Sequence, residues 1–264
     1  MRKERRVIGL VLFIVCTAAC TTAGQSIRGG SGEVHLQRTL VPSLRAAIGL
    51  YGSLLRVFGI GSFTTSCESR YEGGEGLGAA VGLAGDVLVA RSWKIAVACG
   101  WRRYACRTEE METRLEYDRG EGRYVSVDFE RNASVTVSYL SLSCYGEWFP
   151  GNGRFALFAG PHIGVYLGGT VHEEEKILSS DYVYTSGRRT RTFLDGDLSL
   201  LSDPKLFRWD IEAGAAYEWK IGPTSCLTPR LAYSYPLRRL VSAHPSWSLA
   251  VLNLTLQLSM EIAP

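Results

Sequence analysis

Apolar and polar residues alternate with a period of two along most of the chain, the mark of strands whose two faces meet different media. Near the end, Leu252, Leu254, Leu256, Leu258, Met260 and Ile262 alternate with Asn253, Thr255, Gln257, Ser259 and Glu261. Residues 207–221 set Phe207, Trp209, Ile211, Tyr217 and Trp219 against Arg208, Asp210, Glu212, Glu218 and Lys220. Residues 227–238 set Leu231, Tyr233, Tyr235 and Leu237 against Arg230, Ser234 and Arg238. Earlier, Trp93, Ile95, Val97, Cys99 and Trp101 oppose Lys94, Ala96, Ala98, Gly100 and Arg102. Residues 154–167 set Phe155, Leu157, Ile163, Val165 and Leu167 against Arg154 and His162. Segments 44–57 and 77–90 are Gly- and Ala-rich versions with Arg45 and Asp86 on the small-residue face. The segment before Trp148 changes phase between Val137 and Leu140, which predicts a bulge near Tyr139.

These segments make eight strands with unequal connections. Arg91-Ser92, Pro150-Gly151-Asn152-Gly153 and Gly222-Pro223-Thr224-Ser225 are tight turns, whereas the links around 59–75, 105–130, 169–206 and 239–246 are long and mostly polar. Strict alternation of short and long puts all turns at one end of an up-and-down sheet and all loops at the other, as in an outer-membrane barrel. In a bilayer such a sheet must close on itself, because an open edge leaves backbone groups without partners. The second long link is itself patterned around Arg119-Gly120-Glu121-Gly122, so strands three and four are expected to continue above the membrane as a hairpin. The third is expected to turn at Ser186-Gly187 between Tyr182-Val183-Tyr184 and Arg189-Thr190-Arg191.

Charge sharpens this picture. The 264-residue chain carries a formal +3, but Arg2, Lys3, Arg5 and Arg6 against Glu4 account for all of it. Removing those leaves 25 of 29 basic and 25 of 26 acidic side chains, a balance that speaks against nucleic-acid binding. The basic start precedes an apolar run, Val7–Val15, and small residues from Thr17 to Gly24, so residues 1–24 read as a secretory signal peptide. Thr17-Ala18-Ala19-Cys20 also reads as a loose lipoprotein box with Cys20 acylated; cleavage near Gly24 is the leading expectation. Residues 25–43 form a short periplasmic N-terminal segment and 44–264 the barrel.

The run Tyr139-Leu140-Ser141-Leu142, then Trp148-Phe149-Pro150-Gly151-Asn152-Gly153-Arg154-Phe155 to Tyr166 with its Gly160-Pro161-His162-Ile163-Gly164, resembles the small outer-membrane β-barrel families, PorT-like and OmpW/OprF/OmpX-type. The resemblance is specific over about residues 139–168, and the Trp209–Trp219 and Leu231–Tyr235 strands support it. It implies an outer-membrane location and a role in surface interaction, envelope integrity or passage of small, often hydrophobic, solutes. It implies no catalytic residue and no cofactor. Such barrels usually end on an aromatic residue, whereas this chain ends Met260-Glu261-Ile262-Ala263-Pro264.

The fold class expected is therefore all-β, an eight-stranded antiparallel up-and-down transmembrane β-barrel, with outer-membrane lipid as its surroundings and a monomer as its state. Its lumen is expected to hold a polar network of Arg45, Asp86, Arg102, His162, Asp210, Glu212 and Arg230, joined by Lys94, Arg154, Arg208, Glu218, Lys220 and Arg238. About eight strands leave an interior just wide enough for side chains to fill, so interlocking ion pairs are favoured over a selective pore lining. Trp93, Trp148 and Trp219 toward the turns, and Trp101, Trp209, Tyr235 and Trp247 toward the loops, are expected to form two aromatic girdles. Cys67 and Cys106 fall in neighbouring loops on the exported side, where a disulfide is allowed. Cys99, Cys144 and Cys226 read as small apolar thiols, with Cys99 facing lipid.

No Cys/His pair has zinc spacing, and Gly74-x-Gly76-x-Gly78 opens a strand, not the helix a dinucleotide site needs. Arg188-Arg189-Thr190-Arg191, offset by Glu173-Glu174-Glu175, reads as a solvated loop. The leading expectation is a non-enzymatic surface protein binding through its loops or admitting small solutes. Two alternatives stand beside it: a lipid-modifying enzyme using His244 and Ser246 at the rim, and a soluble periplasmic lipocalin-like barrel with the same alternation turned inside out.

Overall fold

The computed structural model describes residues 45–64, 70–151, 153–198, 204–240 and 247–262. The elements are β1 (Ala46–Thr64), β2 (Arg70–Glu72), β3 (Glu75–Ala90), β4 (Trp93–Asp118), β5 (Arg123–Trp148), β6 (Phe155–Ile177), β7 (Thr190–Asp197), β8 (Phe207–Tyr217), β9 (Trp219–Lys220), β10 (Ser225–Pro236) and β11 (Trp247–Ile262). Eight of them are staves, paired in the order β1-β3-β4-β5-β6-β8-β10-β11, and β11 pairs back onto β1. Every stave-to-stave pairing is antiparallel, and the ring closes along sixteen consecutive partners from Ala46↔Ile262 to Gly61↔Trp247. The remaining three are short: β2 folds back on β1, β7 adds to β6, and β9 continues β8 after a break at Glu218.

The outward face of the staves is apolar. Ile48, Leu50, Leu54, Leu83, Ile95, Leu157, Ile211, Leu231, Leu254, Leu256, Leu258 and Met260 are all exposed. A soluble barrel would bury these side chains; here Ser53, Glu147, Asp210, Glu212, Arg230, Asn253, Thr255 and Gln257 are buried instead. Apolar-out and polar-in is the arrangement that water disfavours and hydrocarbon favours, so the barrel is a transmembrane one and the lipocalin-like alternative falls. Trp93 to Trp101 on the outward face of β4 spans eight residues, about 26 Å along a strand. Tilted by ~40°, and with a ring at each end, that matches an apolar band ~25 Å tall.

Above one level the pattern inverts. Pairing links Asn253, Leu55, Gly78, Tyr104, Val137 and Gly169 into a row across six neighbouring staves, an inversion ring that does not close on itself. On the turn side of this ring the inward residues of β11 are Asn253, Thr255, Gln257 and Ser259; on the loop side they are Val251, Leu249 and Trp247, all buried. On β5 the odd-numbered residues point inward throughout, changing from Glu147, Tyr145, Ser143 and Ser141 to Val137, Val135, Ala133, Phe129 and Val127. The backbone of β5 keeps its phase while its surroundings change from hydrocarbon to water.

The bulge expected near Tyr139 is present as a register irregularity between Ser138 and Tyr139. The irregularity lies at that height but on the partner strand. Ser138 faces Gly168 and Tyr139 faces Tyr166, so the extra residue is Leu167 of β6. It is β6 that needs the extra residue, because His162 and Glu173 both point inward and have opposite parity.

Beyond the ring, β4 and β5 run on together to a turn at Asp118–Arg123, where Gly122 adopts φ +68°. The 14 steps from Tyr104 to Asp118 reach about 46 Å along the strand, as the expected hairpin requires. The third link departs from expectation. Its turn forms, with the Tyr184 N–H donating to the Arg188 carbonyl, but β7 pairs with β6 and not with 182–184. Tyr182 and Tyr184 instead cover Val127, Phe129 and Ile177, closing a small core beneath the hairpin.

Candidate functional site

Four layers of charged side chains cross the barrel. Nearest the turns, Lys94 pairs with Asp86 at 3.7 Å and donates to Glu218. In the next layer Arg230 donates to Glu147 at 2.5 Å and to Gln257 at 3.3 Å, its guanidinium 4.3 Å over the Phe158 ring. Above it Glu212 accepts from Arg102 at 3.2 Å, from the Tyr145 hydroxyl at 3.0 Å and from Asn253 at 3.3 Å. In the last layer Asp210 accepts from Arg208 at 2.7 Å and from His162 Nδ1 at 3.0 Å, while Arg208 also donates to the Leu249 carbonyl and lies over the Tyr104 ring. Geometry makes room for these large groups. The inward face of β3 is Gly76, Gly78, Ala80, Gly82 and Ala84, and a Cβ at Gly82 or Gly100 would strike the Tyr51 ring.

The layers leave a cavity of about 30 Å3 beside Arg102, Glu212 and Arg230, room for a water or two and no more. On the loop side an apolar plug seals the top, where Phe63 stacks on Tyr71 at 5.2 Å and meets Trp247 at 4.9 Å, over Leu55, Val57, Tyr104, Tyr139, Leu249 and Val251.

Of the expected lumen network, Arg102, His162, Asp210, Glu212 and Arg230 are buried and mutually linked, and Asp86 joins at the turn end. Arg45 is different. It is exposed at the mouth, because β1 begins only at Ala46, and it makes no ion pair among the described residues. Arg154, Lys220 and Arg238 are likewise exposed at strand ends. Glu147 was missed by the sequence reading, since the supposed phase change hid its inward parity.

Trp93, Trp148, Trp209 and Trp219 point outward, and Trp93 and Trp148 are direct partners at the turn end. Trp247 does not belong to the girdle. It is buried with its Nε1–H donating to the Gly73 carbonyl at 3.3 Å, because its height on β11 lies above the inversion, where apolar side chains turn inward. Cys106 holds a free, buried thiol against Gly74, so the disulfide expected with Cys67 is not made there; Cys67 lies outside the described residues. His244 and Ser246 also lie outside them.

On the outer wall, just above the inversion, lateral pairing aligns polar side chains from five strands. Glu75 faces Arg107, Arg107 faces Ser134, Ser134 faces His172, and His172 faces Asp195. A second row sets Glu109, Asn132 and Glu174 side by side. Higher still, Met111 and Leu115 on the outward face of β4 are 77% and 72% exposed, next to the Tyr117–Tyr124 ring pair. Among the described residues β4 beyond Arg107 pairs only with β5, so its other edge is open.

No protein-family model matches the chain, and no curated protein matches its sequence. Solved structures do align. Neisserial surface protein A aligns over 82% of this chain and 99% of its own at 8% identity and a TM-score of 0.31. The outer membrane protein OprG from Pseudomonas aeruginosa aligns over 84% and 98%, at 9% identity and a TM-score of 0.39. The outer membrane protease OmpT from Escherichia coli does so over 84% and 98%, at 8% and 0.31. At these scores the barrel assignment stands on the chain's own ring closure and its outward apolar band.

Proposed function

We propose that this is an outer-membrane barrel that acts as a closed anchor for a binding surface outside the membrane, non-enzymatic and non-conducting. The observation that carries the reading is the filled middle of the lumen: paired charges around a cavity of about 30 Å3 with an apolar plug above them, the wider space of about 160 Å3 beside Asp86, Lys94 and Glu218 being confined to the turn end. A solute conduit needs a continuous polar path, and a plug of Tyr, Trp, Leu and Val over interlocked ion pairs opposes one. The signal-peptide reading of residues 1–24 and the placement of the long links support a cell-surface position for the β4–β5–β6–β7 sheet, with both termini in the periplasm. Complete closure leaves no unpaired stave, which favours a monomer in outer-membrane lipid.

Planar-bilayer recording on the purified, heat-modifiable barrel tests the reading. The expected result is no discrete conductance steps at full insertion; reproducible steps would overturn it. Protease added to intact cells is expected to cut the hairpin near Gly120 and to spare Gly151. Cleavage at Gly151 with the hairpin intact would invert the orientation.

A further inference from the structure

The row of polar side chains on the outer wall encloses a hollow. Gly76, Ala105 and Ser134 have small or absent side chains and form its floor, while Glu75 and Arg107 rise on one side and His172 and Glu174 on the other, around a space of about 270 Å3. Asn132 lines it too and is 94% buried, judged from its 6% exposure. Its Nδ2 donates to Glu130 at 2.9 Å, and its Oδ1 has no donor. Exchanging the amide's two ends would turn oxygen toward the Glu130 carboxylate, so the orientation is chemically determined. A buried acceptor left without a donor is unfavourable, and a ligand hydroxyl reaching it would remove that cost.

From this geometry we infer that the hollow is a saccharide site, taking a sugar ring by its hydroxyls. The chemistry is that of a polyhydroxylated, uncharged ligand. Carboxylates of Glu75 and Glu174 and the Asn132 Oδ1 accept from hydroxyl groups, and Arg107, His172 and Ser134 donate. The site is net acidic: Glu75, Glu109, Glu174 and Asp195 stand against Arg107, which pairs with Glu109 at 3.2 Å, and Arg56, which pairs with Glu75, so an anion is disfavoured. A phosphate would meet Glu75 and Glu174 directly, and an extended peptide would find the backbone here already paired on both sides. The height matters as well. Ser134 lies three residues beyond Val137 on the loop side of the inversion ring, with its side chain facing away from the barrel axis, about 10 Å along the strand from the edge of the hydrocarbon. A sugar headgroup of a neighbouring glycolipid reaches that position, as does a free saccharide. The inference rests on the reading of this sheet as surface-exposed.

Isotope-labelled barrel in detergent micelles is titrated with glucose, galactose, N-acetylglucosamine and lactose. A second arm uses phosphatidylcholine bicelles with and without lactosylceramide. The readouts are the Asn132 side-chain amide and Ser134 backbone amide resonances. At least one probe is expected to move both saturably. Asn132→Ala is expected to weaken binding roughly tenfold. Ser134→Trp fills the floor and is expected to abolish it, and Tyr124→Ser at the hairpin tip to leave it unchanged. Response to the doped bicelles alone assigns the site to a lipid headgroup, and response to the free sugars assigns it to a soluble saccharide. Silence to every probe, or undiminished binding by Ser134→Trp with heat-modifiable mobility intact, would overturn the inference. A non-conducting barrel that ignores sugars leaves the anchor reading standing, whereas discrete conductance defeats that reading whatever the sugars do.

Discussion

Replacing Glu212 by Ala tests the filled lumen most sharply. Glu212 holds three donors at once, Arg102, Tyr145 and Asn253, and the Arg102 and Glu212 side chains are each only 3% exposed. Without that carboxylate Arg102 stays buried with its charge uncompensated, and breaking a buried pair in this way costs ~3–5 kcal/mol. The cavity beside it, about 30 Å3, grows by the lost carboxylate and admits water, which places the expected loss toward the lower end of that range. Removing both charges is a different perturbation. Arg102→Met with Glu212→Leu exchanges an ion pair for apolar volume and is expected to be neutral or more stable by ~1–4 kcal/mol. Urea unfolding in lipid vesicles provides the assay, followed by fluorescence of the outward Trp93, Trp148, Trp209 and Trp219 and by gel mobility without heating. A loss below ~1 kcal/mol for the single change would refute the reasoning, as would a double variant no more stable than the single one. Either result would mean that the interior is wet enough to solvate a lone guanidinium.

Three further outcomes follow from the same architecture. Leu256→Arg places a charge in the middle of the outward band of β11 and is expected to cost ~2–4 kcal/mol in the same unfolding assay, whereas Leu115→Arg on the exposed hairpin should cost nothing measurable. Trp247→Ala removes a buried ring from the plug and should cost ~3–5 kcal/mol, while Trp93→Ala on the lipid face costs clearly less; equal losses would return Trp247 to the girdle. Burial pushes the Cys106 thiol from its ordinary 9.0 up to about 11. Because the folded state holds this proton more tightly, the stability it contributes is complete below pH 9.0 and is lost as pH rises toward about 11. Cys106→Ser should therefore flatten the alkaline arm of a stability–pH profile, and an unchanged arm would show that the thiol is not buried.

Much of the fold was legible in the alternation itself. Period-two runs located the staves, and Arg91-Ser92, Gly151 and Gly222 marked the turn end because short links force antiparallel neighbours. The lumen residues Arg102, His162, Asp210, Glu212 and Arg230 were legible for the same reason, each being a polar residue on the polar face of an otherwise apolar strand. The errors share one cause. Trp247, and the strand that carries the irregularity near Tyr139, were judged as though the apolar face were always the outer one.

Local sequence determines which residues of a strand share a face, since the backbone turns each side chain opposite to the last. It does not determine which face is inside, because that depends on the medium at each height of the wall. Only the register set where the change falls, by pairing Asn253, Leu55, Gly78, Tyr104, Val137 and Gly169 side by side along one row at which the inward face turns from polar to apolar. The pairings decided by closure and register are also the long-range ones: Arg230 with Glu147, Arg102 with Glu212, and the row from Glu75 through Arg107 and Ser134 to His172. A shift of one residue between any two staves would turn one strand's inward set to the lipid. The ion-pair layers and the polar hollow are thus properties of the register, and the sequence specifies them only through the barrel that all eight staves make together.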